Sequence, residues 1–191
     1  MNRPALLLLD CQHHVCFTRS NARSTLVCET VVDRIHRLLV AARHRGWRVI
    51  HSQFRADPSL DPVAILPAQP IAGLEPLARE AVFVRKALSA YSDPDFARVI
   101  SGCAGAPVYL VGFSAPFSIL ATAFDAVAHG HRLTVVPEAI GAPALGDQSA
   151  TDVGNMTLEV LHRLARTTSL EEVEADWLNV DMDDLKMWGT G

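Results

Sequence analysis

The chain of 191 residues lacks the features that mark several large classes of protein. It has four cysteines and none in a Cys-x-x-Cys spacing, so we expect neither a zinc site nor a disulfide framework. No hydrophobic run approaches the length that spans a bilayer, and the apolar run near the N-terminus is too short for a signal peptide. A formal net charge of −4 offers no excess of positive charge to nucleic acid or to an anionic membrane. These absences predict a cytoplasmic protein that needs no cofactor and has neither nucleic acid nor a membrane as a partner.

The order of predicted elements is typical of a single α/β domain over residues 1–191. Strand-like apolar runs alternate with amphipathic helical patterns, which predicts a parallel sheet with helices on both faces. The predicted strands are 5–10, 47–54, 81–85, 108–111 and 132–136, with a short edge strand at 167–169. The predicted helices are 24–45, 92–102, 116–130 and 151–166.

Two segments depart from this alternation. Residues 55–80 contain five prolines and predict a long loop, which in a compact domain is usually a lid or a contact surface. Residues 171–191 form an acidic C-terminal tail or arm with seven acidic residues and one lysine, yet they keep two tryptophans. Two interpretations of this tail remain open: a disordered segment, or an arm docked on its own domain or on a partner subunit.

The segment 107–130 predicts a buried strand, a tight turn over 112–115 and a helix that begins near Pro116. Such a turn leaves backbone N–H groups unpaired, with the positive end of the helix behind them. These groups suit a carboxylate or a developing oxyanion, and the Ser118 hydroxyl would lie beside them. The alternative interpretation is that Ser114 and Ser118 only cap the helix.

Two charged residues come at the ends of other predicted strands. Asp10 ends the apolar run ALLLLD, and Lys86 follows the strand 81–85. Ligands of open parallel sheets bind at the carboxyl ends of the strands, so both residues are expected where chemistry would occur.

Three motifs in this order resemble the isochorismatase-like hydrolases, also called the cysteine hydrolase superfamily. They read ALLLLDCQ, VFVRKALSAYSDPDF and VYLVGFSAPFSILATAFDAVAHGHRLTVVPEAIGA, and the resemblance covers nearly the whole chain. It implies a Rossmann-like three-layer sandwich whose six-stranded parallel sheet has the order 3-2-1-4-5-6. It also implies a homo-oligomer, a dimer or a tetramer, with active sites near subunit interfaces.

The resemblance also implies roles for particular residues. Asp10 would be the catalytic acid or base, Lys86 its electrostatic partner, and position 118 the site of the nucleophile. A cis peptide would join Phe113 to Ser114, and the backbone N–H groups of Ser114 and Ser118 would form an oxyanion hole.

The chain departs from the common family pattern at position 118, where Ser118 stands in place of the nucleophilic cysteine. A serine hydroxyl is far less acidic than a thiol, and no histidine is tied by motif to Ser118. The true isochorismatases form a branch without the cysteine, and they resemble this chain at Ala115 and at Gln53. In that branch a protonated aspartate delivers its proton to an enol-ether carbon. The Asp-x-His motif of metal-dependent relatives is absent here, so no metal site is expected.

Several residues are candidates for contact with a small anionic or carbonyl-containing substrate. They are Gln53, Phe113, Ala115, Arg19 and Arg55. For each arginine taken singly, a solvated surface residue is the simpler interpretation.

Three functions remain open from the sequence. The first is a small-molecule hydrolase that acts without a thiol, through Asp10 and Lys86, for example on a vinyl ether. The second is a non-catalytic member that binds a ligand or a partner. The third is an amidase with Ser118 as nucleophile. Cys16 could be a displaced nucleophile, although a half-buried structural thiol is the simpler interpretation.

Overall fold

The computed structural model describes residues 3–17, 22–55 and 69–175. Arg19, half of the proline-rich loop (residues 56–68) and the tail beyond residue 175 lie outside the described residues, so the expectations for them stay predictions.

The fold is a six-stranded parallel sheet of order β3-β2-β1-β4-β5-β6, as the resemblance implied. Its strands are β1 (Ala5–Leu9), β2 (Arg48–Phe54), β3 (Ala81–Arg85), β4 (Val108–Gly112), β5 (Thr134–Ile140) and β6 (Arg166–Thr167). The helices are α1 (His13–Phe17), α2 (Ala22–His44), α3 (Pro94–Ser101), α4 (Leu120–Ala128) and α5 (Ala150–Leu164). A 3₁₀ turn (Ala90–Ser92) precedes α3, and a π-helical turn (Ala115–Ile119) precedes α4.

The structure differs from the sequence-based expectation along β5. That strand continues past Pro137 to Ile140, whereas the prediction ended it at residue 136. The β4–β5 register shifts between Leu110 and Gly112, so this proline lies where the ladder is already irregular and a missing N–H costs little.

The core consists of two clusters, one on each face of the sheet. Leu6 and Leu8 of β1 pack in the cluster that contains Ile35 and Leu38 of α2. The alternate residues of β1 lie in the other cluster, with side chains from α3, α4 and α5. All five residues of β1 are buried, because a central parallel strand is covered on both faces.

The first residues of the acidic tail pack on the domain. Residues 170–175 are helical, and the Leu170 and Val173 side chains are buried in the α2-side cluster. An ion pair of 2.6 Å joins Glu174 Oε1 to Arg37 Nη2 of α2. Residues 170–175 are therefore packed against the domain, and the choice between the two interpretations of the tail stays a prediction.

Candidate active site

Asp10 follows β1 directly and lies at the carboxyl end of the sheet. Its backbone has a φ of +52°, and its amide donates to the Ser52 carbonyl oxygen over 3.0 Å. Alternation along β1 would direct an extended residue 10 toward α2. The left-handed φ ends this alternation and allows the carboxylate to reach Arg85 Nη2 on the other face, 2.5 Å from Oδ1.

Arg85, and not Lys86, forms the ion pair with Asp10. Both side chains of the pair are 1% exposed, and Arg85 Nε also donates to Ser52 Oγ over 3.1 Å. The Lys86 side chain is exposed, which corrects the expectation that it would be the electrostatic partner. The physical reason is the alternation of side chains along a strand. Phe83 and Arg85 of β3 point into the core, and the alternate residues are exposed, a pattern that Lys86 continues just after the strand.

The turn after β4 depends on two glycines. Gly112 has a φ of +134°, and a Cβ atom there would overlap the Leu9 carbonyl oxygen. A Cβ atom at Gly141 would overlap the Phe113 ring. Ser114 follows with a left-handed φ of +60°. The described residues contain no cis peptide bond, so the expected cis bond between Phe113 and Ser114 is not present.

The π-helical turn brings two serine hydroxyls to Asp10. The hydroxyls of Ser118 and Ser114 both hydrogen-bond to the Asp10 carboxylate, and Ser118 is buried. A helix beginning near Pro116 was predicted, but the wider π turn was not. We call these four side chains, Asp10, Arg85, Ser114 and Ser118, the Asp10 cluster.

Burial dominates the electrostatics of the Asp10 cluster. It raises the pKa of the Asp10 carboxyl, against the opposing influence of the Arg85 charge and the hydrogen bonds from both serines. Burial also lowers the pKa of the Arg85 guanidinium, and the Asp10 charge opposes that shift. A carboxyl in this environment holds a proton more readily than an exposed one, and its ionised form has three donors ready.

Most amides of the turn are engaged with the protein's own backbone. The Phe113 amide donates to the Leu9 carbonyl over 2.9 Å, and the Ala115 amide donates to the Gly141 carbonyl over 3.1 Å. The amides of Phe117 and Ile119 both donate to the Ser114 carbonyl. Within the described ranges, the Ser114 amide donates to no backbone carbonyl. An oxyanion hole built on the Ser114 and Ser118 amides stays a prediction.

The other predicted substrate-contacting residues lie outside the Asp10 cluster. The Phe113 side chain is buried in the α2-side core, on the opposite face from Ser52 and Arg85. Ala115 is fully buried in the turn. Gln53 is half-buried, and alternation along β2 places it opposite Ser52. Arg55 is exposed, with its amide bonded to the Arg85 carbonyl over 2.8 Å.

The structure adds two residues that the sequence reasoning missed, Arg85 and Gln12. Gln12 is fully buried, and its side-chain amide forms two hydrogen bonds of 2.9 and 2.8 Å with the backbone of Phe54. It thereby fixes the segment after β1 to the end of β2. The Phe54 ring centroid lies 5.5 Å from the Arg85 guanidinium carbon. The alternation of AVFVR could have indicated Arg85, but nothing local indicates the partner of Gln12.

The part of the chain that the structure describes has neither a cluster of metal-ligating side chains nor a membrane-spanning helix. No three histidine, cysteine or acidic side chains lie together there as metal ligands would. No helix in the same ranges is both long and apolar enough to cross a membrane.

Comparison with known proteins identifies the family. Residues 4–172 match the Isochorismatase domain family. Among solved structures, an isochorismatase from Pseudomonas putida KT2440 is 24% identical with a TM-score of 0.76, over 90% of each chain. A putative hydrolase of the isochorismatase family from Chromobacterium violaceum ATCC 12472 is 22% identical with a TM-score of 0.79, over 94% of this chain and 95% of that one.

A cysteine hydrolase from Pseudomonas syringae pv. phaseolicola 1448A is 21% identical with a TM-score of 0.75, over 93% of each chain. A comparison with curated proteins gives no match. The family match covers most of the chain, and the sheet order agrees with it. The chain belongs to the isochorismatase family of hydrolases.

Proposed function

We propose that this protein hydrolyses a small anionic molecule without a covalent intermediate, with Asp10 as the proton donor. The observation that carries the proposal is the Asp10 cluster. Burial raises the pKa of the Asp10 carboxyl and favours its protonated form, while Arg85 and two hydroxyls are placed to stabilise the carboxylate left after proton transfer.

The charge balance of the pair favours an anionic substrate. When Asp10 is protonated, the Arg85 guanidinium has no neutralising charge beside it, although it is buried. A substrate carboxylate would supply that charge. The cluster is nearly closed to solvent, so the substrate must displace a serine hydroxyl or part of the guanidinium before it contacts the acid.

Vinyl-ether hydrolysis fits these requirements. Asp10 transfers its proton to the terminal carbon of an enol ether that carries a carboxylate, and Arg85 stabilises the resulting Asp10 carboxylate. Water adds to the oxocarbenium carbon, and the adduct collapses to an alcohol and a 2-keto acid. Water returns the proton to Asp10, so the net reaction consumes one water molecule.

Two alternatives remain, each favoured by one observation. The Ser118 hydroxyl hydrogen-bonds to Asp10, as an attacking hydroxyl would to its base, which favours an amidase or esterase with Ser118 as nucleophile. Burial of Asp10 and Ser118 favours a member that binds without turnover. Assembly as a dimer or tetramer remains an expectation from the family.

Turnover of a panel of enol ethers, esters and amides by three variants tests the proposal. Asp10→Asn should lower kcat by about a hundredfold to ten-thousandfold, since it removes the proton donor and keeps the shape. Ser118→Ala should retain most activity on the enol ether, because the hydroxyl only supports Asp10. Ser92→Ala, an exposed serine, is the control and should match the wild type.

Each other outcome selects an alternative. An acyl-serine at Ser118 seen by mass spectrometry, with a thousandfold loss in Ser118→Ala, would replace the proposal with covalent catalysis. No turnover of any substrate class, together with saturable binding of an anionic carbonyl compound, would establish the non-catalytic member.

A further inference from the structure

A second feature lies at the end of the sheet where the strands begin, opposite the Asp10 cluster. A cavity of about 620 Å³ opens where β1, β2 and β3 begin. We call it the arginine groove, because its lining includes Arg3, Arg43, Arg48, Arg79 and Arg98, together with Trp47. Asp10 follows the other end of β1, a five-residue strand that rises about 3.3 Å per residue, so the two features lie roughly 15 Å apart.

The arginine groove carries more positive charge than its own carboxylates neutralise. Arg43 pairs with Glu80 over 2.8 Å, and Arg98 pairs with Asp95 over 2.8 Å. Arg3, Arg48 and Arg79 have no carboxylate partner in the described part of the chain. The lining contains one carboxylate, Glu80, against five arginines. A concave surface with such an excess of one sign of charge concentrates ligands of the opposite sign, so the arginine groove is suited to an acidic ligand.

The last described residues, 170–175, run toward the arginine groove. The Leu170 amide donates to Glu138, whose carbonyl accepts from Arg34 of α2, and Glu174 pairs with Arg37, almost one turn further along α2. The helical residues 170–175 therefore run in the same direction as α2, whose last turn supplies Arg43 to the groove.

The remaining distance is short compared with the chain available. From Arg37 to Arg43 the rise along α2 is about 9 Å at 1.5 Å per residue. Residues 176–191 number sixteen and could extend over roughly 50 Å. They include four aspartates, one lysine and two tryptophans, which complement the guanidinium groups and the Trp47 side chain of the groove.

We propose that residues 176–191 dock in the arginine groove of their own chain, with the aspartates on the guanidinium groups. This docking does not depend on the proposed hydrolase activity.

The test is fluorine NMR of the full chain labelled with 5-fluorotryptophan. Trp177→Phe and Trp188→Phe assign the two tail resonances, and a synthetic peptide of residues 176–191 gives their undocked positions. In the unaltered chain at low salt, both resonances should differ from the peptide positions. In Arg79→Glu/Arg98→Glu, and in Asp181→Asn/Asp183→Asn/Asp184→Asn, they should move to the peptide positions.

The matched control is Arg163→Glu, an exposed arginine in a second arginine-lined cavity beside α4, α5 and β6. It should leave both tail resonances unchanged. The spectra of docked chains should not change on tenfold dilution, because the contact is within one chain.

Four results would overturn the proposal. Tail resonances at the peptide positions in the unaltered chain would show that the tail is undocked. Tail resonances that differ from the peptide positions in the unaltered chain, and that stay unchanged in the groove variant and in the tail variant, would show that the tail docks elsewhere. Resonances that change on dilution would assign the groove to the tail of a second copy. A groove that binds inorganic pyrophosphate while the tail resonances stay at the peptide positions would be a small-anion site.

Discussion

Replacing Arg85 tests whether Asp10 pairs with Arg85, as in the structure, or with Lys86, as the resemblance implied. Arg85→Met removes the cation beside a carboxylate whose side chain is 1% exposed, and no water can replace it without opening the core. Loss of one partner of a buried ion pair costs about 3–5 kcal/mol in the free energy of unfolding. With a urea m-value of about 2 kcal/mol/M for a domain of this size, the unfolding midpoint should fall by roughly 2 M.

The matched control is the neighbouring position. The Lys86 side chain is exposed, so Lys86→Met should change the free energy of unfolding by no more than about 0.5 kcal/mol. Adding Asp10→Asn to Arg85→Met removes the unpaired charge, so the double variant should be more stable than the sum of the single effects predicts.

The pH dependence of the free energy of unfolding is a second test of the ion pair between Asp10 and Arg85. Without the Arg85 charge, the pKa of the buried Asp10 carboxyl rises further above its value in the unfolded chain. The folded form then binds the proton more tightly, so Arg85→Met should recover stability as pH falls from 7 to 5, relative to the wild type. Equal urea midpoints for Arg85→Met and Lys86→Met would refute the assignment of the ion pair.

Two further predictions concern stability. Gly112→Ala should destabilise the domain by more than about 3 kcal/mol in urea unfolding, because the new Cβ meets the Leu9 carbonyl at a positive φ; Gly130→Ala, also at positive φ but with open space around it, should cost about 1 kcal/mol. Equal costs for the two would show that the turn after β4 relaxes freely. Burial opposes ionisation of Glu80, yet hydrogen bonds from Arg43, the Leu77 amide and His51 lower its pKa from 4.5 to about 2, a stabilisation of up to about 3 kcal/mol. This stabilisation is present above pH 4.5 and lost as pH falls toward 2, so acid titration of Glu80→Gln should show a correspondingly smaller loss than the wild type.

Local patterns were sufficient for most of the fold. The apolar run of β1, the glycine and proline signals around residues 112–116 and the helical periodicities are local properties, and the predicted strands agree with the structure within a few residues. The exception is β5, which continues through Pro137 because the ladder with β4 is irregular there. A proline signals a strand end locally, and only the partner strand shows that its N–H is not needed.

The candidate site was only partly predictable. The motifs indicated Asp10, Ser114 and Ser118, and the structure brings these three side chains together. They also indicated Lys86, one residue from the arginine that forms the ion pair. A shift of one residue along a strand moves a side chain to the other face of the sheet. A sequence motif does not give the pairing register of the strand, so it cannot tell whether Arg85 or Lys86 faces Asp10.

The sequence by itself determined the family, the strand order that the family implies and the positions of Asp10 and of the turn after β4. The tertiary structure decided that Arg85 completes the Asp10 cluster, that Phe113 belongs to the core and that arginines from five separate positions share one groove. The physical reason is that each of these depends on parallel pairing between strands distant in sequence, which fixes the face on which every side chain lies.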